Sequence, residues 1–399
     1  MALRTGIAAI ASAIFLSTSA MGPGVAHGQP TAEQRWHLAE LGVPAAHRVA
    51  RGEGVVVAVV DSGVDDAVPD LAGALLPGAG FGSAEGTDGT RDAGGHGTAM
   101  AALIAGRGVP GGVLGVAPAA RVLPVSVGAD GARFTTEAVA AGITWAVDQG
   151  ADVVNLSLTT EAAQAPELVR AVDHAFEHDV VVVAGTGNAG VPRIGAPANV
   201  RGVVAVAGTR PGGLPWPSSN TGPETVLAAP AEGVVTALPR SVPGSGFAAV
   251  DGTSAAAALV SGVAALVRSR YPGMDAGNVV NRLIATAVDL GGTGRDDTTG
   301  FGLVDAAAAV DSAVAPVERN PLAPPPRTTT PPAASAPPPA GDSRATGPGP
   351  VAGDGIRVAV ALGGLFLGVV SAVVAGVLPA RRKRPPATRP PPADGSRRR

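Results

Sequence analysis

The 399-residue chain contains no cysteine. Disulfide bonds, catalysis by a thiolate and metal sites built from cysteine are therefore excluded. Aromatic residues are also scarce, at 3% of the chain, whereas 46% of all residues are hydrophobic. A core with so few aromatic rings must be filled mainly by valine, alanine and leucine, which suits a parallel sheet with closely packed helices.

Lysine is absent from residues 27–314, whose 16 arginines face 28 acidic residues and leave a net charge of −12 with histidine neutral. An acidic body lacks the basic surface that phosphate binding requires, so we expect no nucleic-acid partner. The whole-chain net charge of −3 hides this acidity because eight basic residues lie at positions 381–399.

Both ends of the chain carry patterns typical of export and membrane attachment. Arg4 precedes an apolar run at residues 6–16, followed by small residues, which predicts a signal peptide over residues 1–26. Residues 358–378 contain no charge, and we predict a transmembrane helix over residues 356–378. The basic tail, residues 379–399, is predicted to be cytoplasmic. The chain is thus predicted to cross the cell membrane once, with its folded domain outside the cytoplasm.

The segments between these ends predict one folded domain. Residues 27–54 are interpreted as a short polar N-terminal extension, residues 55–314 as the domain and residues 315–355 as a linker, with 12 prolines at positions 316–350. Runs of β-branched residues predict strands at 55–60, 121–127, 153–158, 180–184, 203–208 and 225–229. Helical patterns lie at 98–105, 136–149, 166–178, 254–270, 275–287 and 304–313. Their alternation predicts an α/β fold, a mostly parallel β-sheet with helices on both faces.

One serine stands where a long apolar helix is predicted to begin. Ser254 follows Asp251, Gly252 and Thr253 and precedes an alanine-rich run. It either caps the helix or acts as a nucleophile at the positive helix end. A serine nucleophile needs a base within hydrogen-bond reach and a third group that orients the base.

Two other stretches supply such groups. The first predicted strand leads into Asp61, which places a carboxylate at the carboxyl edge of the sheet, although an isolated Asp-Ser-Gly is also typical of a turn. His96 stands between Gly95 and Gly97 just before an apolar helix, and these glycines are expected to leave the imidazole accessible.

Two competing patterns are disfavoured. His174 and His178 lie four residues apart without the glutamate of a metalloprotease pattern, so we interpret them as surface residues. Residues 185–190 fit the G-x-G-x-x-G pattern of dinucleotide sites, but the prolines that follow disfavour the helix that such a site requires. No acidic residue lies about 20 residues further along the chain, where a dinucleotide site has one.

In the chain order Asp, His, Ser, the stretches DSG, HGT and GTSAA resemble the three signature blocks of the subtilisin-like serine proteases, or subtilases. The resemblance spans roughly residues 50–312 and includes GVLGVAP at 112–118, VVNLSL at 153–158 and GFGLVDAAAA at 300–309. It implies an endopeptidase without a cofactor, in which Asp61 orients the base, His96 is the base and acid, and Ser254 is the nucleophile. Asn188, assisted by the Ser254 backbone N–H, would bind the oxyanion.

The resemblance also implies a set of substrate-binding residues, namely Ser157, Leu158, Thr159, Gly185 and Gly187. Subtilases usually have glycine where this chain has Thr159, so its side chain is expected to narrow or redirect specificity. They usually show Met-Ala-x-Pro where this chain has four alanines at 255–258, a change that concerns helix packing. Asp70 matches a calcium ligand of secreted subtilases, but residues 107–112 offer no side-chain oxygen, so no metal site is predicted.

The short N-terminal extension, the proline-rich linker and the single C-terminal span resemble one subgroup, the mycosins, which are associated with type VII secretion. This implies a protein or peptide substrate, attachment to a membrane through the C-terminal helix, and a type VII secretion complex as partner. One alternative stays open: a structural or docking component of a membrane secretion complex, in which proteolysis is secondary or lost.

Overall fold

The computed structural model describes residues 13–14, 31, 35–128, 134–160, 165–243 and 246–323. The predicted transmembrane helix at 356–378 and the basic tail lie outside the described residues, as do most of the predicted linker and signal peptide. Within the described ranges, no helix combines the length and the apolar character needed to cross a membrane.

Twelve strands are defined by the described residues: β1 (Ala13–Ile14), β2 (Val56–Asp61), β3 (Ala79–Gly80), β4 (Arg121–Ser126), β5 (Phe134–Thr135), β6 (Val153–Leu156), β7 (Val181–Gly185), β8 (Val204–Arg210), β9 (Leu214–Pro215), β10 (Thr225–Pro230), β11 (Val234–Ala237) and β12 (Phe247–Val250). The central sheet has the order β10-β8-β7-β6-β2-β4-β3, in which all neighbours are parallel, and β9 joins β8 antiparallel. Two small antiparallel pairs, β1 with β5 and β11 with β12, complete the set.

The α-helices of the described residues are α1 (Trp36–Glu40), α2 (Val43–Ala46), α3 (His96–Ala105), α4 (Thr136–Asp148), α5 (Pro166–Glu177), α6 (Thr253–Arg270), α7 (Ala276–Ala285) and α8 (Ala306–Asp311). Short 3₁₀ helices lie at Pro69–Leu71 and Gly82–Ala84.

The helices cover both faces of the sheet, as predicted. A Cβ placed on Gly142 of α4 would lie 3.3 Å from Val60, whereas a Cβ placed on Gly97 of α3 would lie 3.0 Å from Asp61. Consecutive strand residues point to opposite faces, so α3 and α4 lie on opposite sides of β2. On the side of α3, α6 is buried from residue 255 to residue 267, because its apolar and small residues surround the whole helix.

The prediction of an α/β fold with a mostly parallel sheet is confirmed. Each of the six strands predicted from the sequence ends within two residues of the corresponding strand in the structure. Three features differ from the predictions. The N-terminal extension is not merely a polar lead, because it contains α1 and α2 and buries Leu38, Leu41 and Val43. Helix α3 begins at residue 96 rather than 98, and six strands were missed, namely β1, β3, β5, β9, β11 and β12. Helices of four or five residues are too short to show a 3.6-residue period, and the nine-residue connection between β11 and β12 is longer than a typical hairpin turn.

Candidate active site

The carboxyl ends of three adjacent parallel strands bring the predicted site residues to one edge of the sheet. Asp61 is the last residue of β2, Ser157 follows β6, and Asn188 follows β7. The buried helix α6 begins beside them at Thr253. Open α/β sheets place their sites at this edge because the loops that follow the strands meet there.

Asp61 and His96 form a close pair. His96 Nδ1 lies 2.8 Å from Asp61 Oδ1 and 3.0 Å from Oδ2. The Asp61 carboxylate is fully buried, whereas 24% of the imidazole is exposed. Burial lowers the pKa of His96, but the charge and hydrogen bond of Asp61, together with the charge of Asp92, outweigh burial and raise it above its ordinary value. The opposite ring nitrogen, Nε2, is the one left to exchange a proton with another group.

The glycines beside His96 have a packing role that differs from the predicted one. Gly95 is the N-cap of α3 and has a left-handed φ of +79°, which residues with a Cβ rarely adopt. A Cβ on Gly97 would overlap the carbonyl oxygen of Gly63. The two glycines therefore let the first turn of α3 approach the end of β2, and this contact brings the imidazole to Asp61.

A second buried carboxylate, missed by sequence reasoning, supports this pair. Asp92 is 3% exposed and accepts hydrogen bonds from Gly95 N and Thr98 N, both at 2.8 Å, and from Thr98 Oγ1 at 2.7 Å. The hydroxyl of Ser62 lies 2.8 Å from Asp92 Oδ1 and 3.2 Å from Asp61 Oδ1. Burial first, and then the nearby Asp61 charge, raise the pKa of Asp92. The sequence signal that could have found Asp92 is an acidic residue just before a helix that begins with histidine.

Ser254 is the second residue of α6 and does not cap it. The N-cap is Gly252, which makes no side-chain cap hydrogen bond. The Ser254 hydroxyl instead donates to the carbonyl oxygen of Ser157 at 3.2 Å. Ser157 reciprocates, because its own hydroxyl donates to the carbonyl oxygen of Ser254 at 3.0 Å. Of the two interpretations of Ser254, the cap is excluded.

Asn188 is held with its amide nitrogen free to donate. Its Oδ1 accepts from Thr253 N and from Thr253 Oγ1, both at 2.9 Å. Two donors on one atom identify that atom as the oxygen and orient Nδ2. A Cβ placed on Gly252, where φ is +148°, would lie 3.4 Å from Asn188 Nδ2 and 3.8 Å from Ser254 N. As the second residue of α6, Ser254 N has no intrahelical acceptor, so two donors without an acceptor among the described residues flank one point beside Gly252.

A single pocket collects most of the predicted residues. Its lining consists of His96, Ser157, Leu158, Thr159, Gly185, Asn188, Thr253 and Ser254. Gly187 lies at its edge, where the backbone N–H donates to Thr253 Oγ1 at 3.1 Å. His174 on α5 and His178 at its C-cap are outside it, and His174 pairs with Asp148.

The glycine pattern at residues 185–190 belongs to this site rather than to a nucleotide site. No helix begins between residues 186 and 203. The backbone N–H groups of Ala189 and Val191 donate to Asn220 Oδ1 at 2.9 and 3.3 Å. Donors that a phosphate would require are therefore already used.

The calcium position implied by the resemblance does not fit calcium. Asp70 is buried, and its Oδ1 accepts a short hydrogen bond from Val113 N. Burial raises the pKa of this carboxyl group, which opposes the charged form that a cation needs. In the part of the chain that the structure describes, no three His, Cys, Asp or Glu side chains are grouped as a metal site requires.

Comparisons with known proteins identify the family of this chain. The family model described as "Subtilase family" matches residues 52–302. Subtilisin BL of Lederbergia lenta is 39% identical over 276 residues, which cover 69% of this chain and 97% of that protein. Mycosin-3 of Mycobacterium tuberculosis (strain ATCC 25618 / H37Rv) is 35% identical over 354 residues, covering 74% of each chain.

Two solved structures have the same fold. A protease from Pseudoalteromonas arctica superposes with a TM-score of 0.64 and 31% identity, covering 71% of this chain and 98% of its own. The MycP3 protease from the type VII (ESX-3) secretion system superposes with a TM-score of 0.61 and 30% identity, covering 72% and 92%.

A subtilisin-like α/β fold whose sheet edge carries an acid, a histidine and a serine at a helix start defines the class as serine endopeptidase. The chain belongs to the Subtilase family, and its relatives include both subtilisins and a mycosin.

Proposed function

We propose that this chain is a membrane-anchored, extracytoplasmic endopeptidase that cleaves peptide bonds through an acyl-enzyme formed on Ser254. The observation that carries the proposal is the 2.8 Å contact between His96 Nδ1 and buried Asp61, in the pocket that also contains Ser254 and Asn188. A nucleophile, a base and an oxyanion donor thus line one small volume, and the orienting acid is buried behind the base, as acyl transfer requires.

In acylation, rotation of the Ser254 side chain away from Ser157 brings its hydroxyl to Nε2 of His96. Oγ then attacks the carbonyl carbon while Nε2 accepts the proton. The charge of Asp61 stabilises the resulting imidazolium and holds Nδ1 protonated. His96 next gives the proton to the leaving amine, and the ester of Ser254 remains. In deacylation, His96 accepts a proton from the attacking water and returns it to Ser254 Oγ as the ester bond breaks, which releases the carboxylic acid and regenerates the enzyme.

Negative charge on the carbonyl oxygen develops where Asn188 Nδ2 and Ser254 N converge. Thr253 holds Asn188 in place before substrate arrives, so this stabilisation requires no rearrangement in the transition state. One such side-chain donor contributes about 10²- to 10³-fold to the rate in enzymes of this kind.

Mapping of cleavage sites tests the proposal. Denatured proteins are incubated with the purified wild-type chain and with Ser254→Ala, and new termini are identified by mass spectrometry. We expect termini that depend on Ser254 and fall to background in the variant. Equal cleavage by the two proteins, or none by a folded wild-type chain, would refute the mechanism.

A role in a secretion complex is a second candidate, supported by the similarity to Mycosin-3 and to a protease of a type VII secretion system. Subtilases usually have glycine where this chain has Thr159. This difference in the pocket favours a role in which docking to the secretion complex matters more than proteolysis. Complementation of a deletion strain separates the two. If Ser254→Ala restores secretion, docking is the main role. If Ser254→Ala fails as the deletion does, while its protein level matches wild type, proteolysis is required.

A further inference from the structure

The positions of Ser254 and Asn188 determine where the substrate side chain next to the scissile carbonyl binds. The carbonyl carbon must reach Ser254 Oγ while its oxygen lies between Asn188 Nδ2 and Ser254 N. The adjoining side chain, two bonds from that carbon, then enters the pocket beside these atoms. One wall of this pocket is formed by residues 157–159 and the other by Gly185 and Asn188.

Thr159 spans the gap between these walls. Its methyl carbon Cγ2 lies 3.7 Å from the position that a Cβ on Gly187 would take, which is van der Waals contact. Its hydroxyl oxygen lies 3.1 Å from the position of a Cβ on Gly195. The two branches of one side chain therefore lie close to Gly187 and Gly195, where Asn220 Nδ2 and Thr160 O also approach the two glycines and leave no spare room beside them.

The surrounding backbone leaves little scope for the pocket to widen. Thr160 N donates to Ala196 O at 2.8 Å, which ties the segment containing Thr159 to the segment containing Gly195. On the opposite side, Asn220 N donates to Gly187 O at 2.9 Å. The start of α6 closes the third side, because a Cβ on Gly185 would lie 2.8 Å from the carbonyl oxygen of Thr253.

The whole pocket, including the space beside His96 and Ser254, measures about 20 Å³, room for one or two water molecules. A methyl or hydroxymethyl group fits such a space, whereas the four carbons of a leucine side chain or an aromatic ring do not. We infer that Thr159 makes this enzyme selective for glycine, alanine or serine on the acyl side of the scissile bond. The inference rests on the proposed function and names its substrate class.

Two substitutions of Thr159 distinguish the effect of its side-chain volume from the effect of its hydroxyl group. Thr159→Gly removes the obstruction and opens the space between Gly187 and Gly195. Thr159→Val keeps the shape of the side chain and replaces the hydroxyl with a methyl group. If the side chain acts through its volume, Thr159→Val retains the wild-type preference and Thr159→Gly loses it.

The test uses the full chain in detergent and a pair of peptides that contain one mapped cleavage site and differ only in alanine or leucine on its acyl side. For wild type and Thr159→Val we expect kcat/KM to favour alanine by about 10- to 100-fold, the penalty for overfilling a rigid site. For Thr159→Gly we expect this ratio to fall at least tenfold. Because a ratio for one protein is independent of its folded fraction, partial misfolding of a variant does not affect the comparison.

A fluorophosphonate probe, applied to the same samples, distinguishes failure of the inference from failure of the function. Wild-type protein that is labelled at Ser254 and prefers leucine, or a Thr159→Gly ratio equal to that of wild type, overturns the inference alone. Folded wild-type protein that is neither labelled nor active overturns the proposed function and the inference together.

Discussion

At the scale of single residues, two buried carboxylates act on one imidazole. Asp61 touches His96 directly, whereas Asp92 acts through Ser62 and through the first turn of α3. Asp92 is therefore a positioning residue: it holds the backbone that carries His96 and adds negative charge nearby. Because both carboxylates favour the imidazolium, the pKa of His96 is raised, and activity that needs the neutral base is lost as pH falls through that pKa.

Asp92→Asn is expected to shift the acid limb of kcat/KM to lower pH, because the substitution removes a charge that raises the pKa of His96. Stability should also fall, by about 1–3 kcal/mol, since the new amide group faces donors that the carboxylate accepted. A pH profile of kcat/KM measures the first effect, and its midpoint does not depend on how much protein is folded. A loss of stability with an unchanged midpoint would mean that Asp92 has a structural role only.

The residues of the site were predictable to different degrees. The sequence around each member of the triad allowed more than one role. Only the order Asp61, His96, Ser254 along the chain made the catalytic interpretation specific. Asp92 was missed because a carboxylate before a helix has an ordinary explanation as a helix-capping group. The contact of Ser254 with Ser157 was not predictable either, since a hydroxyl hydrogen bond depends on the packing of two segments 97 positions apart.

At the scale of elements, the N-terminal extension is part of the folded body. Ala306 N donates to Leu41 O at 2.8 Å, which joins the extension to α8. His47 Nε2 donates to Val116 O at 2.8 Å, and Arg35 donates to Gly112 O at 3.0 Å. The composition of residues 27–54 suggested a polar lead because composition does not show that polar side chains such as Arg35 and His47 hydrogen-bond to the domain.

His37 in α1 should make this extension sensitive to acid. It is 2% exposed, and neither ring nitrogen has a partner among the described residues. Burial, and then the Arg35 charge, lower the pKa of His37 from 6.5 to about 4. The unfolded chain therefore binds a proton more readily, so stability is full above pH 6.5 and falls as pH drops toward 4, by about 3 kcal/mol at most.

His37→Leu should remove this part of the acid sensitivity, because leucine fills the buried site without a group to protonate. Urea unfolding of wild type and variant at pH 7 and pH 4.5 measures the difference, and other titrating groups cancel between the two proteins. Equal losses of stability on acidification would show that His37 becomes protonated without cost to the fold.

At the scale of the whole molecule, the C-terminal end of the described domain continues past the predicted boundary at residue 314. Val317 pairs with Asn278 through two hydrogen bonds, one from Val317 N at 2.8 Å and one to Val317 O at 3.1 Å. Asn281 donates to Ala315 O at 3.0 Å. Proline-rich composition alone could not show that the first residues of this segment are bound to α7.

We predict that the full chain fractionates with membranes and resists extraction by salt and by alkaline carbonate, because residues 358–378 carry no charge. A chain ending at Ala323 should be released from the membrane fraction and remain active. A matched chain ending at Val314 should be less stable by about 1–3 kcal/mol, since it loses the hydrogen bonds to Asn278 and Asn281. Recovery of the full chain outside the membrane fraction would contradict the anchor.

The central claim is that Ser254, activated by His96 and Asp61, is the nucleophile of this endopeptidase. Its most direct test is covalent labelling of the folded wild-type chain by a fluorophosphonate, followed by peptide mapping of the modified residue. We predict one adduct per chain, on Ser254, that is absent from Ser254→Ala and forms much more slowly in His96→Ala. A folded wild-type chain without an adduct, or with its adduct on another serine, would contradict it.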